Sequence, residues 1–273
     1  QGHAASCHFK ALIEFAIQNH MPQLRYADEQ TGWAAFFAEL DAWRDAGRVA
    51  TFWWRDDDAT DETPALTRLL DIAGDIPVSL ASIPRDATTA LANAIADQPN
   101  VSVLQHGYAH TNHAPPLEKK AEFGPHRPLD AMQRDLTTGF IRLRDLFGPR
   151  CQAIFVPPWN RMADSVAPLL PQVGLQSFST YGLTQKSLAA PQVNTHADII
   201  NWRGGRTFLG ESAVLDLMTN HLSARRRGDA AENAPTGLLT HHLVHDDACW
   251  RFTGDLVQAV TDHPAASWKA PTA

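Results

Sequence analysis

The chain has 273 residues, 44% hydrophobic and 19% charged, a globular composition that excludes wholesale disorder. Its 23 basic and 30 acidic residues leave a formal charge of −7, the opposite of the basic surplus that general nucleic-acid binding requires. No apolar run approaches the ~20 residues of a bilayer span, and Cys7, Cys151 and Cys249 are too scattered for a disulfide framework or a Cys-x-x-Cys metal clip.

No charged-then-apolar leader opens the sequence, so a reducing, cytoplasmic setting is expected. Gln1-Gly2-His3 reads as the scar of a cleaved tag, and residues 4–273 as a single domain. Trp33, Phe36, Phe37, Leu40 and Trp43 recur at helical spacing, predicting a helix with Thr31 as its N-cap and Gly47 near its end. The β-branched and aromatic run at 49–54 has no helical period and reads as a strand that stops at the acids. Helix 63–72, strand 78–83, helix 87–96, strand 101–104, helix 129–147, strand 151–156 and helix 163–170 follow. A strand at 175–179, a loop rich in Pro, Gln and Asn, a strand at 197–202, helix 212–225, strand 237–241 and helix 248–261 complete the chain.

Strand then helix, repeated, predicts an α/β fold with a parallel sheet and crossover helices. About seven such units favour a closed or nearly closed barrel, whose site collects at the C-terminal ends of successive strands. The Gly-x-Gly-x-x-Gly or Walker loop of a doubly wound nucleotide-binding sheet is absent.

Four motifs stand at such strand ends. An acidic triplet such as Asp56-Asp57-Asp58 is most simply a solvated turn, but here Phe52-Trp53-Trp54 buries the chain up to the acids. His106 and His110 can close on one ion from a helix or a tight loop; the bland alternative is two histidines satisfied by backbone partners. In Phe155-Val156-Pro157-Pro158-Trp159-Asn160-Arg161, two prolines lack N–H groups, so the Trp159 amide is the first one free to point into a site. The segment 237–246 offers His241, His242 and His245, one of which could act as a strand-end general acid. Carboxylate and imidazole together can hold a divalent ion and leave one carboxylate over as a base.

In this order, the motifs between about 49 and 246 resemble the polysaccharide deacetylase family, carbohydrate esterase family 4. The resemblance implies a distorted (β/α)7-type barrel and a hydrolase dependent on a divalent metal, usually zinc. It also implies an N-acetylated carbohydrate as partner, an amino sugar that loses its acetyl group in a polysaccharide, glycoconjugate or small precursor. The family's Thr-Phe-Asp-Asp-Gly motif falls on 55–59, making Asp57 the base and Asp58 a metal ligand; a slide of one residue gives these roles to Asp56 and Asp57. His106 and His110 match the other two ligands. His241 matches the general acid, with His242 as its rival, and Trp159 the aromatic residue whose amide helps form the oxyanion hole.

The chain departs from the family pattern at Val156, where members often carry the arginine that orients the base. Arg55 or Arg161 could supply that charge, and Asp198 could be its acidic partner. Two further readings stay open: hydrolysis of another small C–N bond, and a degenerate glycan-binding barrel. The missing arginine favours the latter; the intact acids and histidines disfavour it.

Overall fold

A computed structural model describes residues 32–184 and 190–272. The 1–3 segment, Cys7, the Thr31 cap and residues 185–189 of the Pro/Gln/Asn-rich loop lie outside the described residues. In chain order the elements are α1 (Gly32–Asp45), β1 (Ala50–Ala59), α2 (Pro64–Ala73), β2 (Val78–Ser82), α3 (Thr89–Ala94), β3 (Val101–His106), α4 (Leu129–Phe147) and β4 (Cys151–Val156). There follow β5 (Ser177–Phe178), β6 (Ala197–Asp198), β7 (Ile200–Asn201), β8 (Thr207–Phe208), α5 (Glu211–Arg227), β9 (Thr236–Thr240), α6 (Asp247–Asp262) and β10 (Ala266–Trp268). Thr63 caps α2 by accepting from the Leu66 amide, with Pro64 in the first turn, where a missing N–H costs nothing; Thr88 caps α3 through Leu91.

The main sheet is parallel, in the order β5-β4-β3-β2-β1-β9-β6, with β10 added to the start of β1. One extended segment closes the ring. The Val193 and Thr195 amides donate to Phe178 and Thr180, and the next amide, of His196, donates to Gly237 on β9. The architecture is a distorted (β/α)7 barrel.

Period-two alternation separates the two faces of each strand. Trp53, Ala81, Leu104, Ile154, Val156 and Val193 pack together inside the barrel, while Phe52, Trp54, Leu80, Val103 and Leu238 face the helices. Trp53 fits only because Gly237 opposes it: a Cβ there would lie 2.4 Å from the indole nitrogen and 2.6 Å from the Thr195 Cα.

Three expectations are revised. Strand β1 runs on through the acids to Ala59 instead of stopping at Trp54, because β2 and β9 continue to pair with it and the carboxylates find internal partners. The expected helix at 163–170 is a pair of 3₁₀ turns, Asp164–Leu169 and Pro171–Val173, since Pro168 and Pro171 withhold the amides an α-helix needs. The expected strand at 197–202 splits, and its second half turns away to pair antiparallel with β8. Strand β10 is an addition. Among the described residues no helix is long and apolar enough to cross a membrane.

Candidate metal centre and active site

The faces of β1 sort the three acids. Trp53 lies in the barrel interior, so Arg55 and Asp57 share its face, whereas Asp56 shares the helix-facing side with Trp54. Asp56 is fully buried and ties β1 to the end of β9: its carboxylate accepts from the Thr240 hydroxyl at 2.5 Å and the His242 amide at 3.0 Å, and pairs with His242 Nδ1 at 2.5 Å. Burial works against its charge, but His242 outweighs it and keeps the carboxyl below the usual range. Thr240 in turn accepts the Trp54 indole N–H at 2.7 Å. Asp56 and His242 thus form a strand-to-strand clasp outside the interior cluster.

Asp58 escapes the alternation. The β1–β2 register shifts between Asp57 and Ala59, and Asp58 takes the left-handed conformation, φ 74°, so a bulge re-aims it. Its Oδ1 lies 3.2 Å from Nε2 of His106, at the end of β3, and 3.4 Å from Nε2 of His110 in the following loop. The ligand-capable atoms of these three residues all lie within 4.8 Å of one another.

This donor set fits a divalent cation. His106 Nδ1 lies 3.0 Å from the Val156 carbonyl, which can only accept, so Nδ1 carries a proton and Nε2 is the nitrogen whose lone pair a cation would take. Asp58 Oδ1 is buried and makes no aligned hydrogen bond among the described residues. Two imidazole nitrogens and a carboxylate oxygen converging on one point can hold a cation between them; in its absence a proton on His106 Nε2 pairs with the carboxylate. Burial opposes charge on His106, yet Asp57 and Asp58 outweigh it and raise the imidazole pKa; burial likewise opposes the Asp58 charge but is overcome by His106, and that carboxyl is held well below its usual range. His110 is pushed down by burial and by His106.

Next to this cluster, Arg55 holds Asp57. The guanidinium, fully buried, places Nε 2.8 Å and Nη2 3.0 Å from the two carboxylate oxygens. It is itself fixed by the Ser179 hydroxyl at 2.7 Å and by Asn160 Oδ1 at 2.6 Å. His241 brings Nε2 to 3.9 Å from Asp57 Oδ2, its ring braced edge-on by Trp202 at 4.6 Å. Trp159 covers His110 with a ring separation of 4.4 Å, and its N–H finds no acceptor among the described residues.

Two other expected residues lie elsewhere. Arg161 is exposed and donates to the Lys120 carbonyl rather than reaching Asp57. Asp198 pairs with no arginine among the described residues; it accepts from the Trp202 indole at 2.8 Å and the Ile200 amide at 2.9 Å, near His241. Burial raises its pKa, and His241 works against that rise.

Strain concentrates at this site. Of the five non-glycine residues with positive φ among the described residues, Asp58, His110, Trp159 and Asn160 are here and only Arg206 is not. Each such backbone costs on the order of 1–3 kcal/mol and persists only where its surroundings enforce it.

No protein-family model and no curated protein matches the chain. Solved structures do. A CE4 esterase of Streptococcus mutans superposes with a TM-score of 0.54 at 12% identity, over 85% of this chain and 89% of that one. A Mycobacterium smegmatis protein assigned as a polysaccharide deacetylase gives 0.53 at 17% identity, over 81% and 88%. A mutant of a CE4 family pseudoenzyme with restored enzymatic activity gives 0.51 at 16%, over 81% and 65%.

The chain has the carbohydrate esterase family 4 fold. On this CE4 barrel, the positions that sequence reasoning passes over are supports. Buried Glu122 accepts from the Tyr108 and Ala109 amides at 3.1 and 2.7 Å and so shapes the loop that presents His110. Gly107 starts that loop at φ 58°, where a Cβ would lie 2.1 Å from Glu122 Oε2 and 2.5 Å from Pro158. Asn160 and Ser179 steady Arg55. A signal for Gly107 lies in the sequence, between the two histidines; Glu122, Asn160 and Ser179 are brought in by tertiary packing alone.

Proposed function

We propose that the protein is a zinc-dependent deacetylase that hydrolyses the N-acetyl group of an amino sugar in a glycan or a glycan precursor. The observation that carries this reading is the adjacency of three elements: the Asp58–His106–His110 cluster, a carboxylate clamped by Arg55, and His241 across from it. Three ligands rather than four leave room for water and substrate, which distinguishes catalytic from structural zinc sites. When bound there, the ion supplies a Lewis acid that acidifies water and polarises the acyl oxygen.

The chain's own residues provide the rest. Asp57 takes a proton from water as the water oxygen bonds to the acetyl carbon; the Arg55 contacts keep its lone pair aimed. The free Trp159 N–H donates to the oxygen on which charge builds. His241 delivers a proton to the amide nitrogen as the C–N bond breaks, leaving acetate and a free amine. Arg55 also answers the departure at Val156, because the base-orienting charge arrives from β1 instead, and this weighs against a degenerate barrel.

The test is acetate release from N-acetylated oligosaccharides by chelated and zinc-reloaded protein. Release should require the metal, and Asp57→Asn should keep zinc while losing at least ~10²-fold in kcat, at the low end for a general base. An active Asp57→Asn protein removes Asp57 from that role, and metal-independent release removes the mechanism.

A further inference from the structure

Beside Trp159, the segment 119–123 runs alongside 160–163, joined by the Phe123–Met162 bridge and by the Arg161 guanidinium on the Lys120 carbonyl. Between them opens a cavity of about 300 Å³ lined by Lys119, Asn160, Arg161, Met162, Phe178 and Thr180. It is linked to the candidate site through Asn160, which lines it and also bonds Arg55, and the neighbouring Lys120 ammonium lies 5.9 Å from the Trp159 ring that covers His110.

The charge here runs against the rest of the chain. In a protein of net charge −7, Lys119, Lys120 and Arg161 are exposed together and none forms an ion pair among the described residues. Of the carboxylates beside the two lysines, Glu118 is engaged by His126 at 2.7 Å and Glu122 by the two loop amides. Unpaired cations around a concavity with Asn160 and Thr180 in its wall make a receptor for a small anion, and the Trp159 ring next to Asn160 suits a sugar face.

We infer that the N-acylated sugar bound at this site carries an anionic group, a carboxylate or a phosphate, received by Lys119 and Arg161 in the cavity next to Asn160, with Lys120 adding its charge from beside the Trp159 ring. This rests on the deacetylase reading for the position of the sugar and goes beyond it in naming what the sugar bears. Partly solvated charges discriminate modestly and are screened by salt.

The test is calorimetric titration of the zinc-loaded Asp57→Asn protein with three N-acetylglucosamine trimers: neutral, O-carboxymethylated and O-phosphorylated. At least one anionic trimer should bind about tenfold tighter than the neutral one, about 1.4 kcal/mol, and which one does so identifies the group. Lys119→Gln/Lys120→Gln/Arg161→Gln should bring that ratio close to one. Should the triple variant fail to fold, salt gives the same answer on the parent protein: the preference should collapse as the Debye length shrinks from ~30 Å at ~0.01 M to ~3 Å at ~1 M. Equal affinities, a ratio that survives both changes, or binding of none of the trimers overturns the inference. Acetate release by the wild type without anion preference sinks this inference alone; anion preference without release sinks the deacetylase reading alone.

Discussion

Arg55→Met would strand the Asp57 carboxylate in the barrel. Arg55 is fully buried and Asp57 is 2% exposed, so neither water nor another cation replaces the lost partner readily. Removing one member of a buried pair costs about 3–5 kcal/mol, and the freed Ser179 and Asn160 acceptors add about 1 kcal/mol each. The total, roughly 5–7 kcal/mol, is a large part of the ~5–15 kcal/mol that holds a domain together. At ~2–4 °C per kcal/mol for a large domain, Tm should fall by at least ~10 °C. The pair contributes through its coupling, so Arg55→Met/Asp57→Asn should be less destabilised than the sum of the single variants, by about 1–3 kcal/mol. Urea unfolding of the four metal-free proteins, followed by circular dichroism, measures the cycle. If Arg55→Met unfolds within ~0.5 kcal/mol of wild type, as a surface substitution would, or the cycle is additive, the ion pair is not what secures Asp57.

Substituting either imidazole ligand, His106→Ala or His110→Ala, should remove zinc from the purified protein; stoichiometric metal by mass spectrometry in either variant would break the ligand assignment. Gly107→Ala places a Cβ against Glu122 and Pro158 at a left-handed φ that alone costs ~1–2 kcal/mol. It should lower Tm and weaken zinc binding at least ~tenfold, and wild-type values for both would show that Glu122 does not shape the loop. Burial, assisted by His221 and Arg225, pushes His196 down to about 2, and burial, assisted by Arg225, pushes the stacked His221 down to about 4. Both stay neutral in the folded protein while the unfolded chain takes protons below about 6.5, so their stabilising share is complete above that pH and drains away as pH falls. For His221 the loss approaches about 3 kcal/mol near pH 4. His221→Gln should therefore show a pH dependence of unfolding free energy shallower by up to ~1.4 kcal/mol per unit below pH 6.5; parallel curves would contradict this.

The barrel is legible in the sequence because strand and helix periods alternate and the motif residues stand at strand ends. The neighbourhood of His106 and His110 is legible for the same reason. The order of the acids is less so: Phe52, Trp53 and Trp54 are all large and apolar, so nothing in the residue types tells which of them faces the interior, and that parity decides between Asp56 and Asp57. The structure gives the inward face to Trp53 because Gly237, distant in the chain, leaves the space for its indole. The clasp of Asp56 with His242 is hidden similarly, since it depends on β1 and β9 being neighbours despite lying at opposite ends of the chain. Proline content was the legible warning against a helix at 163–170, where apolar spacing suggested one.

The indole opposite Gly237 also acts as a stopper. With Trp53, Leu104, Ile154 and Val156 packed inside the barrel, the candidate site sits over an apolar floor. On the deacetylase reading, that floor would turn both the incoming sugar and the departing acetate toward the rim.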